Sequence, residues 1–176
     1  MDPKVLYKLS YGMYIVCSKK GDKFNGQIAN TVFQITSEPP TVAVSINKNN
    51  LTHSYINESK VFTASFLCTI TPLPFIGRFG FRSGRDVNKL EGVNYRIGKT
   101  GVPIILDNTV AYVEARVVKQ LDVGTHTVFV GEVVDAEILN EKEECMTYAY
   151  YQQVKRGTTP AAAPTFIAEN KEVKPA

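Results

Sequence analysis

Residues 25–52 read NGQIANTVFQITSEPPTVAVSINKNNLT, and the order of residue types in this stretch decides the fold. A strand of small residues runs into a turn, a second strand and a polar loop that opens onto an apparent helix. Pro39-Pro40 cannot extend the preceding strand and resets the chain direction. In 41–47 (TVAVSIN), Val42, Val44 and Ile46 alternate with Thr41, Ala43, Ser45 and Asn47, the period of a strand with one apolar face and one small, polar face. Such an order suits a phosphorylated planar ligand: strand edges offer backbone hydrogen bonds to a ring, and a helix start offers N–H groups to an anion.

Working outward, most periodicity is that of strands. Residues 12–18 (GMYIVCS) precede turn formers at Lys20-Gly21-Asp22 and predict a hairpin. Residues 110–118 place Ala111, Val113, Ala115 and Val117 on one face and Tyr112, Glu114 and Arg116 on the other. Residues 127–139 form the longest predicted strand, with Val128, Val130, Val134, Ala136 and Ile138 on one side and Gly131 marking a bulge or a close backbone approach. Helices are predicted over 51–59, part of 73–84, and 143–155. The class is mainly β with short helices: a closed antiparallel barrel plugged or capped by helices. After Gly157 the chain reads TTPAAAPTFIAENKEVKPA, which divides it into a barrel domain, 1–157, and an extended arm, 158–176. Phe166 and Ile167 are the arm's obvious anchors, to its own barrel or to a neighbouring subunit, and a free tail is the plainer alternative.

The chain of 176 residues carries 20 basic and 17 acidic side chains, a net charge of +3 scattered without a basic run, which argues little about partners. No apolar stretch approaches the roughly 20 residues that cross a bilayer, and the start MDPKVLYKL lacks the pattern of a signal peptide, so a cytoplasmic protein with no membrane association is expected. Cys17, Cys68 and Cys145 are far apart, with no CxxC and no Cys-His cluster. No metal site is expected, and each cysteine reads as a small buried side chain; a redox role for Cys68 or Cys145 is the lesser alternative, because neither is paired in sequence with a resolving thiol. Nucleic acid is not an expected partner, because the strands do not interleave aromatic residues with clustered Lys and Arg.

The chemistry concentrates at a few positions. Ala29, Asn30 and Thr31 are small enough for a ring to lie on the backbone, with the peptide groups of Thr31 and Val32 available to its polar edge. Tight packing alone also explains small residues on a strand. Ser45 and Asn47 point the same way, and Lys48, Asn49, Asn50 and Thr52 follow where a helix begins. Asn50 or Thr52 could be a simple N-cap, but capping and phosphate binding use the same N–H groups, and Lys48 adds charge.

Several stretches together resemble one family. The run GQIANTVFQITSEPPTVAVSINKNNLTHSYI is similar to the TANS-type strand, double-proline turn and phosphate loop of flavin reductase-like proteins. IGRFGFRSGRDVNKLEGVNY (76–95) resembles that family's loop over the flavin, GTHTVFVGEVVDAEIL (124–139) its strand bearing a histidine, and YAYYQQVKRGTTPAAAPTFI its terminal helix and arm. Thr125 stands where the family usually has Asp, and Thr31-Val32 where it has the TANS serine. The resemblance is greatest to flavoredoxins, ferric reductases and the flavin domain of high-molecular-weight rubredoxins.

The resemblance implies a split β-barrel that binds FMN, with FAD the second choice. By it, Asn30, Thr31, Val32 and Phe33 contact the isoalloxazine. Ser45, Asn47, Lys48, Asn50 and Thr52 hold the ribityl chain and phosphate. Phe79, Gly80, Ser83, Gly84 and Arg85 form a loop over the site, although a solvated surface loop has the same composition. His126, which alone would read as an ordinary surface or packing residue, becomes the candidate catalytic residue beside the flavin. No GxGxxG follows a strand, so NAD(P)H is expected as a transient electron donor rather than a resident ligand. The implied function is an oxidoreductase passing electrons from NAD(P)H through flavin to rubredoxin, ferric iron or free flavin, in a homodimer with a possible redox-protein partner. The alternative is a flavoredoxin-type carrier whose FMN is reduced by another protein.

Overall fold

The computed structural model describes residues 2–166. After a 3-10 turn at Pro3–Lys8, strands β1 (Tyr14–Lys20) and β2 (Lys23–Ala29) form the expected hairpin, registered from Tyr14 opposite Ala29 to Lys20 opposite Lys23. Strands β3 (Val32–Ser37) and β4 (Pro40–Asn47) meet across the double proline, where the Glu38-Pro39 bond is cis. Helix α1 (Leu51–Ser59), strand β5 (Val61–Leu67) and helix α2 (Leu73–Gly80) follow. A small hairpin then forms from β6 (Tyr95–Ile97) and β7 (Pro103–Ile105). The long strands β8 (Thr109–Val123) and β9 (His126–Ile138) precede helix α3 (Tyr148–Gln153).

The main sheet is antiparallel, in the order β2-β1-β5-β8-β9-β4-β3. β2 and β4 touch although they lie towards opposite ends of that order, so the sheet curls towards closure and forms the split barrel. Both faces of β1 are buried: Val16 joins Val44, Ile46, Ile56, Phe62 and Phe129 in one core, while Ile15 and Cys17 join Met13, Ile76, Phe79 and Ile105 in the other. Burial on two sides explains why MYIVC is apolar without alternation.

Several expectations need correction. The longest strand is β8, not β9. On β9 the residues that reach the core are Thr127, Phe129 and Gly131, whereas Val128 and Val130 are only half buried and Ile138 is exposed. Tyr112 and Glu114, assigned to the polar face of β8, are fully covered. The β6–β7 hairpin and its turn explain this: Thr63 Oγ1 donates to the Pro103 carbonyl at 2.6 Å, and the Glu114 carboxylate accepts from the Lys99 N–H at 2.9 Å. α3 spans only Tyr148–Gln153, capped by Thr147, whose Oγ1 accepts from Tyr150 N–H at 3.1 Å. Cys145 is exposed rather than buried; Phe166 is exposed on its own barrel, and Ile167 lies outside the described residues. Gly131 does mark a close approach. A Cβ there would stand 2.8 Å from both Ala115 Cβ and Phe62 Cε1. Among the described residues no helix is long and apolar enough to cross a membrane.

Candidate functional site

A cavity of about 400 Å³ opens beside the edge strand β2. Its walls are β2, the end of β4, the start of α1, the α2 end with its following loop, and the segment 158–164. Of the residues expected to hold a flavin, Asn30, Ser45, Asn47, Asn50, Thr52, Phe79, Gly80, Ser83 and Arg85 all line it. Thr31, Val32 and Phe33 line instead a second cavity of about 540 Å³, which shares Asn30 and Met13 with the first. Lys48 lines neither, and its ammonium is ion-paired with Asp122 at 2.5 Å.

Local hydrogen bonds set the first cavity's shape. Asn25 Nδ2 donates to Thr52 Oγ1 at 2.7 Å, fixing the start of α1 against β2. Gly84 packs on the same asparagine: a Cβ there would come within 1.9 Å of Asn25 Oδ1, so the loop closes this tightly only on glycine. Arg85 Nη1 donates to the Asn49 carbonyl at 3.1 Å, bringing a guanidinium to the helix start. Asn50 occupies the N-cap position of α1, yet its side chain makes no capping bond. Free N–H groups, the positive end of the helix dipole and Arg85 therefore converge on one end of the cavity, a setting that favours an anion.

Two further lining acceptors have no partner among the described residues, Gln27 Oε1 and Asn30 Oδ1, both buried. An unsatisfied buried polar atom costs about 1–3 kcal/mol, and a ligand N–H removes that cost. Anion-favouring groups and unpaired amide oxygens in one cavity fit a phosphorylated ring with a polar edge, as a flavin nucleotide is.

The last described segment forms the remaining wall. Tyr151 Oη donates to the Thr158 carbonyl at 2.9 Å, Tyr148 Oη bonds Thr159 Oγ1, and Asn30 Nδ2 donates to Thr165 Oγ1 at 2.8 Å. His126, the expected catalytic residue, lines neither cavity; it stands opposite the lining residue Asn47 in the β4–β9 register and close to the lining residue Ala162. Its Nδ1 is 2.9 Å from Thr125 Oγ1, and its Nε2 is buried with no bond among the described residues. Burial pushes the His126 pKa below the ordinary 6.5, with the Ala162 backbone opposing.

The structure adds residues that the sequence did not single out. Lys89 is 5% exposed, lines the cavity, and donates from Nζ to the carbonyls of Gly26 and Phe79, each at 3.0 Å. Burial lowers its pKa to about 8, the Cys17 thiol opposing. Within VNKLEG nothing marked this lysine, since a charged loop usually puts such a side chain in water. Gln27 was equally hidden, because a polar residue on an edge strand commonly faces solvent. Among the described residues no cluster of three or more potential ligands could hold a metal ion.

The family model for the flavin reductase like domain matches residues 6–159. The chain is 54% identical over 176 residues to the high molecular weight rubredoxin of Moorella thermoacetica, covering 100% of this chain and 76% of that protein. It is 52% identical over 167 residues to the ferric-chelate reductase (NAD(P)H) of Archaeoglobus fulgidus, covering 95% of this chain and 98% of that one. A solved structure of an FMN-binding protein from Thermus thermophilus, with bound p-hydroxybenzaldehyde, superposes with a TM-score of 0.69 at 27% identity, over 78% of this chain and 75% of that one. The antiparallel split barrel, the cavity along its β2 edge and these similarities lead to one assignment: the chain belongs to the flavin reductase like domain family and is a flavin reductase-like oxidoreductase.

Proposed function

We propose that the cavity beside β2 binds FMN and that the protein passes electrons from NAD(P)H through this flavin to an acceptor such as a ferric chelate, a rubredoxin or free flavin. The observation that carries the reading is the cavity's set of free polar groups: unpaired Gln27 and Asn30 oxygens, together with an uncapped helix start beside Arg85. A volume of about 400 Å³ is within the ~300–1,000 Å³ typical of ligand sites. The relative named a ferric-chelate reductase (NAD(P)H) supports the donor and one acceptor, and the relative named a rubredoxin supports another.

Bound flavin would supply the redox chemistry, accepting a hydride equivalent and releasing electrons singly or in pairs. The chain's residues do the rest. Ser83, Arg85, Asn50 and Thr52 hold the phosphate end, with Ser45 and Asn47 along the ribityl chain. Gln27 and Asn30 fix the polar edge of the ring, and Phe79 and Gly80 line its approach. Thr31, Val32 and Phe33 lie behind Asn30, towards the second cavity. His126, whose pKa burial lowers, stands beside the lining residues Asn47 and Ala162 and acts on the site by orienting its neighbours rather than by carrying charge. Residues 158–164, the start of the expected arm, wall the site, and the arm beyond Phe166 lies outside the described residues. Phe33, Ile35, Leu121 and Val123 are exposed on β3 and β8 and supply an apolar face for a homodimer.

The test is the visible spectrum of the purified protein, before and after anaerobic NADH or NADPH. Flavin bands that bleach on addition support the reading. A protein that neither carries nor takes up FMN overturns it. Flavin bands that stay until a reduced protein partner is added would make it an electron carrier instead.

A further inference from the structure

Cys68 and Cys145 are 77 residues apart in sequence yet directly opposite one another in an isolated antiparallel bridge. The hydrogen bonds around them define the kind of bridge. Thr69 N–H donates to the Glu144 carbonyl at 3.0 Å, and Met146 N–H donates to the Leu67 carbonyl at 2.7 Å. The bonds therefore flank the cysteines, which form a non-hydrogen-bonded pair. Such pairs have Cα atoms about 4.5 Å apart with side chains on the same face. That separation is inside the roughly 4.4–6.8 Å range that a disulfide spans.

The two thiols differ in access. Cys145 is exposed and borders the second cavity, whereas Cys68 is 3% exposed and has Thr71 Oγ1 3.5 Å from its Sγ. An accessible attacking thiol with a sheltered partner opposite is the arrangement in which a mixed disulfide resolves internally. Nothing in the proposed flavin reaction uses either residue.

We propose that Cys68 and Cys145 are a reversible dithiol/disulfide couple, a modification site for low-molecular-weight disulfides. Cys145 releases its proton to solvent and its sulfur attacks one sulfur of the oxidant, expelling a thiolate that is then protonated. Cys68, deprotonated in turn, attacks Cys145 Sγ and expels the second thiol. Two cysteine S–H groups are thereby oxidised to one S–S bond, and one disulfide is reduced to two thiols. The product ties the end of β5 to the segment entering α3, the helix whose Tyr148 and Tyr151 hold residues 158 and 159 over the first cavity. Burial and the neighbouring Cys68 thiol push the Cys145 pKa up, so the reaction is slow at neutral pH and quickens in mild alkali. Cys17 is a built-in control: fully buried, with its thiol pushed up to about 12 by burial, it stays reduced.

The full-length reduced protein is incubated with oxidised glutathione at mildly alkaline pH, quenched with an alkylating agent under denaturing conditions, and mapped by mass spectrometry. The expected result is the loss of two of three alkylatable thiols and a linked Cys68–Cys145 peptide, reversed by a dithiol reductant, with a thermal midpoint several degrees higher in the oxidised form. C68S should stop at a glutathione adduct on Cys145, and C145S should form no linked peptide. A stable glutathione adduct on Cys145 of the unaltered protein, a bond between two molecules through Cys145, or no oxidation at all would each overturn the proposal. Mapping the unaltered protein decides this even if a variant fails to fold.

Discussion

Asn30 and Thr165, 135 residues apart in sequence, are joined by a 2.8 Å hydrogen bond from Nδ2 to Oγ1, which leaves Asn30 Oδ1 as one of the cavity's unpaired acceptors. One side chain thus fastens the last described segment and presents an oxygen to the ligand space. Replacing Thr165 with Val should release the segment without touching that oxygen. Loss of one hydrogen bond, about 1 kcal/mol, should speed FMN dissociation roughly fivefold, measured by fluorescence recovery of released flavin. An unchanged rate would show that this bond does not hold the wall.

Arg85 reaches the helix start through Asn49, so its charge should matter for the phosphate and not for the ring. R85M should weaken FMN binding by about 1.5–3 kcal/mol, roughly 10- to 100-fold, and leave riboflavin nearly unaffected. Titration of the apoprotein with both ligands measures this, and equal losses for the two would place Arg85 elsewhere.

Lys89 carries its charge in a site with two carbonyl partners and no carboxylate ion pair among the described residues. Its folded pKa, about 8, is below the unfolded 10.5, so the unfolded chain binds more protons between those values and stability rises with pH across that window. Relative to K89M, the unaltered protein should gain about 3 kcal/mol from pH 7.5 to 10.5, at about 1.36 kcal/mol per pKa unit. Denaturant midpoints of both proteins at each pH provide the comparison, and parallel pH profiles would refute the buried-charge account.

His53 and His126 both have pKa values lowered from 6.5, in each case first by burial. Below pH 6.5 the unfolded chain takes up protons that the folded rings resist, so this stability is complete above 6.5 and is lost as pH falls through the folded values. Thermal midpoints should fall as the pH drops from 7 to 5, less steeply in H126Q. A slope independent of His126 would sink the assignment.

Two glycines should respond in opposite directions to alanine. At Gly131 the new methyl would stand 2.8 Å from buried Ala115 and Phe62 atoms, and G131A should cost about 1–3 kcal/mol. At Gly77, inside α2, nothing is within 4 Å of the new carbon, and G77A should gain about 0.5–1 kcal/mol from helix propensity. Chemical denaturation of the two variants checks both signs.

Strand alternation in TVAVSIN and the double proline before it were legible because both act locally, and α1 was legible to the residue. What sequence could not show depends on partners distant along the chain. Glu114 reads as an outward residue until the β6–β7 turn folds over it, and β9 reads by its even-numbered valines until the register with β4 turns Phe129 inward. In the site, Asn30, Ser45 and Asn47 were visible from spacing, but Gln27 and Lys89 became site residues only through what covers them. Lys48 was named for its charge, and its geometry directs that charge to Asp122.

The wall that residues 158–164 lend to the cavity also has a consequence for timing. Strands, helices and the anion-favouring loop are all encoded before residue 154, whereas the segment that walls the cavity, 158–164, is synthesised after all of them. The barrel elements can therefore be complete before the wall that would enclose a ligand exists, so that on the FMN reading flavin retention follows barrel formation in biogenesis.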